Sequence, residues 1–258
     1  MKTDVLLVPF GASWADIRDG ARRAEDAGYD GVWLWDHLRG GNAAGPAPVP
    51  ECWTALSALA AITSRVSLGP LVLNVANRHP GVLANMAATL QEVSGGRLVL
   101  GLGAGGSLAT PYADEQVALG RPVGTDTERR RDLERAITQI RALWAGEPPG
   151  FLQPSPTPPI VVAGFGPKMA ELAGRLGDGF NSAAGHPQLP ELVAAAREAH
   201  AKSGRPTPFE VSVFGGFPGT EAGRKRLAGL AVDRLIVLLQ PPYRELQPGG
   251  SHAHLSDR

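Results

Sequence analysis

The sequence predicts an α/β fold in which a parallel sheet is crossed over by helices, built either as a barrel or as a doubly wound sheet. Three observations carry this. Short apolar, β-branched runs alternate with segments of helical period, the pattern of βα units. The runs are almost continuously apolar, as strands covered on both faces must be. About eight such units fit into 258 residues, a length at which one fold buries roughly 75% of its unfolded surface without disulfides or metals. A single domain over residues 1–258 is expected.

The first run, residues 5–10, is followed by a helix that Ser13 caps, with Asp16 three residues on. Trp14, Ile17, Ala21 and Ala24 form its apolar stripe and Gly28 closes it. Residues 31–35 are the second run. The third, 66–73, leads to a helix that Pro80 opens, with Leu83, Met86, Leu90 and Val93 at helical spacing and Gly95-Gly96 at its end. The fourth run is 98–102, after which Thr125 or Thr127 caps a helix aligned on Leu133, Ile137, Ile140 and Trp144. Runs five to eight are 160–163, a short 179–182, 209–214 and 235–239, with helices expected over 167–176, 190–202 and 220–230. Beyond Leu239 the sequence QPPYRELQPGGSHAHLSDR allows at most a turn or two, so the eighth helix is expected to be short. Three Gly- and Pro-rich stretches, 39–51, 105–125 and 146–159, read as loops. The first two follow strands and in a barrel would lie over the C-terminal face.

Composition removes several function classes. The 25 Lys+Arg balance 25 Asp+Glu, and no basic stripe offers the phosphate footprint of a nucleic-acid binder. The single cysteine, Cys52, excludes an internal disulfide and a Cys-rich zinc site. The 33 Gly and 23 Pro fall in short clusters, so the chain is turn-rich and globular. The opening MKTDVLLVPFG is too short an apolar run for a signal peptide or membrane span, which makes the cytoplasm the expected location, with no membrane partner.

Four places carry candidate chemistry. Gly101-Leu-Gly103-Ala-Gly105-Gly106 has the G-x-G-x-x-G spacing after the fourth run. A dinucleotide fold would begin a helix at the third glycine and place an acid about 20 residues on, whereas SLATPYADEQVALGRPVG follows and reads as a loop. A tight turn, or a backbone that approaches a flat ring or a phosphate where a Cβ would collide, are the other readings. Asp36-His37 ends the second run, and His37 is the candidate proton donor or acceptor, unless the two are a surface pair. Gly164-Phe165-Gly166-Pro167-Lys168 opens a helix whose first N–H groups attract an anion. Gly185-His186 and Gly215-Gly216 are alternative places for the same anion, and the sequence does not choose. His79 reads as a helix-entry residue, Cys52 as packing, and Arg129-Arg130-Arg131 as solvated. His252 and His254 have no supporting ligands nearby, so no metal site is expected.

The segments GYDGVWLWDH (28–37), VSLGPLVLNVANRHPGVLANMAATLQEVSGGRLVLGLGAGG (66–106) and VVAGFGPKMAELAGRLGDGFNSA (161–183) together resemble the luciferase-like monooxygenase family, in its order and over almost the whole chain. The resemblance implies a (β/α)8 TIM barrel, here with a shortened eighth helix, that binds coenzyme F420, a deazaflavin, or FMN at the C-terminal ends of its strands. It implies His37 as the catalytic base toward a substrate hydroxyl, with Asp36 beside the cofactor ring. Asn74 falls on the third-strand position against the ring, next to a bulge that in the family often carries a non-prolyl cis peptide. Ala104 and Gly105 match fourth-strand backbone contacts, while Phe165, Gly166, Lys168 and Met169 match the loop and helix start that hold the cofactor chain. Ala183 and His186 match its phosphate contacts.

The activity so implied is hydride transfer between F420 and a small organic substrate, the deazaflavin being favoured by Asp36-His37 and the glycine loop at the helix start. An FMN-dependent monooxygenase and a non-catalytic flavin-binding barrel are the alternatives, and a homodimer is implied. Two departures weigh against a sugar-phosphate substrate. Gly106 stands where deazaflavin sugar-phosphate dehydrogenases place a glutamate, and Gly41 replaces their aromatic residue four positions beyond the histidine.

Overall fold

The computed structural model describes residues 1–42, 45–110, 112–216 and 221–246. In chain order its strands are β1 (Lys2–Leu7), β2 (Gly31–Leu34), β3 (Gly40–Asn42), β4 (Gly45–Ala47), β5 (Ser67–Pro70), β6 (Leu73–Asn74), β7 (Leu100–Gly103), β8 (Ile160–Ala163), β9 (Gly179–Ala183), β10 (Glu210–Gly215) and β11 (Arg234–Leu239). Its helices are α1 (Trp14–Asp26), α2 (Cys52–Ile62), α3 (Pro80–Val93), α4 (Ala113–Ala118), α5 (Asp126–Trp144), α6 (Pro167–Leu176), α7 (Leu189–Ser203) and α8 (Glu221–Gly229).

Nine strands form one parallel sheet in the order β5-β2-β1-β11-β10-β9-β8-β7-β6. Its two ends are consecutive pieces of a single stretch of chain, divided at the cis peptide Leu71-Val72, and a parallel bridge from Leu68 to Leu98 joins the remaining gap. The ring therefore closes on eight strand positions, the third being shared: β5 pairs with β2, and β6 with β7. This is the expected TIM barrel, and ring closure excludes the doubly wound sheet and with it the dinucleotide reading of the glycines.

Alternation along β1 sorts the core. Val5 and Leu7 join the large outer cluster with Ile17, Ala21 and Ala24 of α1, while Leu6 and Val8 face inward with Trp33, Leu71 and Ile236. Below them, at the N-terminal ends of the strands, Asp4 is bound by the Arg234 guanidinium and by Trp33 Nε1–H at 2.6 Å. Arg234 Nε also donates to Glu210 at 2.6 Å. A polar plug thus fills the bottom of the barrel and leaves the other end for a site.

Local signals explain most elements. Ser13 with Asp16, and Thr125 with Glu128, form reciprocal capping boxes that start α1 and α5. Pro80 is the first residue of α3, where its missing N–H costs nothing, and His79 caps that helix through Nδ1. After β11 the chain makes turns at 241–246, and buried Tyr243 packs so closely on Gly20 of α1 that a Cβ there would lie 2.7 Å from its ring. Tyr243 Oη donates to Val8 O at 2.8 Å, tying this short segment to the barrel.

Several boundaries differ from the sequence expectation. The first strand begins at Lys2, since Lys2–Leu7 pairs residue for residue with Arg234–Leu239; the polar start hid it, and Pro9 ends it. The third run is divided in two, and Leu98 makes only the isolated bridge before β7. The stretch 39–51 contains the hairpin β3–β4, and 105–125 contains α4, where a loop was expected. No start signal was read for α2: its cap is Glu51, which accepts from Trp53 N and Thr54 N, and its apolar residues surround it instead of forming one stripe. Of the expected 220–230 helix, Thr220 lies outside the described residues, as do His252 and His254. Among the described residues no helix is long and apolar enough to cross a membrane.

Candidate active site

The C-terminal ends of β2, β6, β7, β8 and β9 open into a cavity of about 780 Å³, within the roughly 300–1,000 Å³ range of small-molecule sites. The chain leaving β2 contributes Trp35, Asp36 and His37. Asp36 is buried and fully engaged: Arg78 donates to both its oxygens at 2.8 and 2.9 Å, and the Asn74 N–H adds a bond at 3.1 Å. Arg78 also bonds Glu51 at the start of α2. Burial alone would lower the Arg78 pKa, but Asp36 and Glu51 outweigh it and hold the guanidinium above its ordinary value. Asp36 is thus a tie between three elements.

His37 is placed differently. Its side chain is 23% exposed and lines the cavity, and Nδ1 lies 3.0 Å from Glu115 Oε1, on α4. The Tyr112 ring stacks on the imidazole at 4.8 Å with planes 23° apart, and Phe10 and Trp35 stand at 5.6 and 6.1 Å. Tyr112 and Glu115 were hidden by the reading of 105–125 as a loop. The start signal was present: Thr110-Pro111 followed by Asp114-Glu115 is the pattern of a helix beginning.

A further part of the wall is formed by 71–74 and 103–106. Gly101 lets β7 approach the third strand, since a Cβ would sit 2.1 Å from Pro70 O. Gly105 has φ of 76°, and a Cβ there would meet Asn74 Oδ1 at 2.7 Å. At the floor Asn181 Nδ2 donates to Ser212 at 2.8 Å, while its buried Oδ1 has no protein partner. A stretch at 103–106 that carries no side chain larger than the Ala104 methyl, and an unpaired acceptor beneath it, fit a flat ring that carries an N–H edge.

Phe165, Gly166, Lys168 and Met169 line the cavity where β8 passes into α6, and the α6 N-terminus has no side-chain cap. Of the three places considered for an anion, only this one lines the cavity. Ala183 and His186 do not: Ala183 pairs with Phe214, and His186 approaches only through its ring against Phe165, 6.1 Å away. Arg129 and Arg130, read as solvated, instead reach the cavity from the first turns of α5. Among the described residues no three His, Cys, Asp or Glu side chains gather as for a metal ion.

A family model described as luciferase-like monooxygenase matches residues 2–225. Among curated relatives, an F420-dependent glucose-6-phosphate dehydrogenase of Beutenbergia cavernae is 40% identical over 204 residues, 70% of this chain and 57% of that protein. A 5,10-methylenetetrahydromethanopterin reductase of Archaeoglobus fulgidus is 30% identical over 219 residues, 80% of this chain and 60% of that protein. The chain therefore spans less than two thirds of the length of these relatives. Among solved structures, an F420-dependent secondary alcohol dehydrogenase in complex with an F420-acetone adduct superposes with a TM-score of 0.72 at 24% identity, covering 83% of this chain and 69% of that one.

Proposed function

Because the chain belongs to the luciferase-like monooxygenase family, we propose that it is an oxidoreductase that uses coenzyme F420 to move a hydride to or from a small hydroxyl or carbonyl compound. The observation that carries this reading is His37, held in the same cavity as the bare Gly103–Gly105 wall. The F420-dependent relatives support the cofactor. When bound, the deazaflavin supplies the hydride chemistry and lacks the ring nitrogen with which a flavin forms an oxygen adduct.

Asn74, Ala104, Gly105 and Asn181 would border its ring, and Phe165, Gly166, Lys168 and Met169 its anionic chain. The rings of Phe10, Trp35 and Tyr112 around His37 suit an apolar carbinol better than a phosphorylated sugar.

Titrating the purified chain with F420 and with FMN, followed by absorbance, tests the cofactor. Binding of F420 and its turnover with a panel of small alcohols is the expected result; an FMN band retained through gel filtration overturns it in favour of a monooxygenase. Binding without turnover on any substrate of the panel would point to the non-catalytic barrel. Replacing His37 by Ala is expected to lower turnover about 100-fold or more with cofactor binding unchanged.

The reading places the enzyme in the cytoplasm as a homodimer. A second cavity, on the outside between α2, α3 and α5, is bordered by exposed Val82, Val93 and Phe151, the kind of apolar patch that a partner subunit covers. Light scattering behind gel filtration, returning one chain's mass, would remove the dimer.

A further inference from the structure

Gly106 and Gly41 depart from the sugar-phosphate dehydrogenase pattern, and in the structure a carboxylate and an aromatic ring reach His37 from one other place. Glu115 belongs to α4 and Tyr112 immediately precedes it, between the fourth strand and α5. Gly106 is what admits them: a Cβ at 106 would lie 2.7 Å from Tyr112 Cβ and 2.8 Å from Thr110 Oγ1. Any side chain at 106 would therefore force Tyr112 or Thr110 to shift. The segment is fixed to the barrel mouth, with Gln116 Nε2 bonded to Asn77 Oδ1 and Arg121 to Ala76 O, in the turn that follows β6. Ala113, Glu115 and Gln116 are buried under it.

We propose that Glu115 is the positioning residue of His37, a carboxylate that reaches the imidazole from α4. The inference rests on the reading of His37 as the proton-transfer group. Glu115 Oε1, 3.0 Å from Nδ1, accepts the Nδ1–H and so leaves the lone pair on Nε2. Nε2 has no protein partner among the described residues. Tyr112, parallel to the imidazole, fixes its plane, so ring orientation and tautomer are both set before substrate arrives.

A base with its lone pair on Nε2 suits oxidation of an alcohol. The hydroxyl proton passes to Nε2 and the O–H bonding pair becomes the second C–O bond. With an oxidised deazaflavin bound, the group would supply the acceptor for the carbinol hydrogen, which would leave as hydride with both electrons of the C–H bond. A ketone or aldehyde would result, with the proton held on His37 beside Glu115. The reverse reaction uses the same proton on Nε2 as acid.

The test separates this dyad from the cofactor assignment. Nitrogen-15 NMR of ring-labelled histidine in the cofactor-free protein, at a pH where the imidazole is neutral, reads the tautomer directly. The expected wild-type spectrum has Nδ1 protonated and Nε2 bare; a proton on Nε2 in the wild type overturns the proposal without any variant. Glu115→Gln, whose amide can donate to Nδ1, is expected to shift the population toward the Nε2–H form, and Glu115→Asp to retain the wild-type tautomer in part. With F420 and a small secondary alcohol as probe, Glu115→Gln is expected to lower kcat about 10- to 100-fold with KM little changed. An unchanged tautomer in a folded Glu115→Gln protein sinks the positioning role. The wild-type tautomer found as expected, but with no F420 binding, would leave the dyad standing and remove the cofactor reading instead.

Discussion

Glu25 shows how much one side chain of α1 can organise. Its Oε1 accepts the backbone N–H groups of Ser64, Arg65 and Val66, at 2.9, 2.6 and 3.1 Å, where the chain leaves α2 for β5. Burial alone would raise its pKa, but these three donors and nearby Arg97 outweigh burial and hold the carboxyl below its ordinary range. The folded-state value is thus lower than the unfolded one. The stabilisation is complete above the unfolded pKa and is lost as pH falls through the folded one. Glu25→Gln is therefore expected to be less stable than wild type at neutral pH and to converge with it in acid, as read by urea midpoints across that range. Nothing in the sequence around Glu25 marked it, because its partners lie about 40 residues away and are backbone groups, which have no residue signature.

At the scale of elements, the parts that were legible are those with a local cause. Capping boxes at Ser13 and Thr125 act within four residues, so α1 and α5 could be located from sequence. Replacing either cap by Ala is expected to cost about 1 kcal/mol, measured as a shift of the denaturation midpoint with unchanged cooperativity. The elements that escaped have non-local causes. The beginning of β1 depends on pairing with β11 at the far end of the chain, and α2 is apolar on most of its surface because it is packed on several sides. The site divides in the same way. His37, Asn74 and the strand-end glycines could be placed because strand ends are recognisable, whereas Glu115 and Tyr112 depend on how 105–125 folds back over the mouth. Asp36 lines the cavity as its place at a strand end implies, while its partner Arg78, 42 residues on, had no local signal.

For the whole molecule, the barrel's two ends have opposite characters. At the bottom, Arg234 is nearly inaccessible and sits between Asp4 and Glu210. Burial alone would raise the Asp4 pKa; the guanidinium and the Trp33 N–H partly oppose it. Arg234→Met strands Asp4 in the interior and is expected to cost about 3–5 kcal/mol, whereas replacing Asp4 by Leu together with Arg234 by Met should recover much of that loss; urea denaturation of both variants measures the difference. At the top the interior stays open, and its aromatic lining gives the molecule a built-in optical gauge. Of the chain's five tryptophans, Trp35 borders the mouth cavity while Trp33 lies below it in the plug. A coloured guest seated there would take up emission from Trp35 by energy transfer, so occupancy can be followed from the protein's own ultraviolet fluorescence, and Trp35→Phe should mute much of that response.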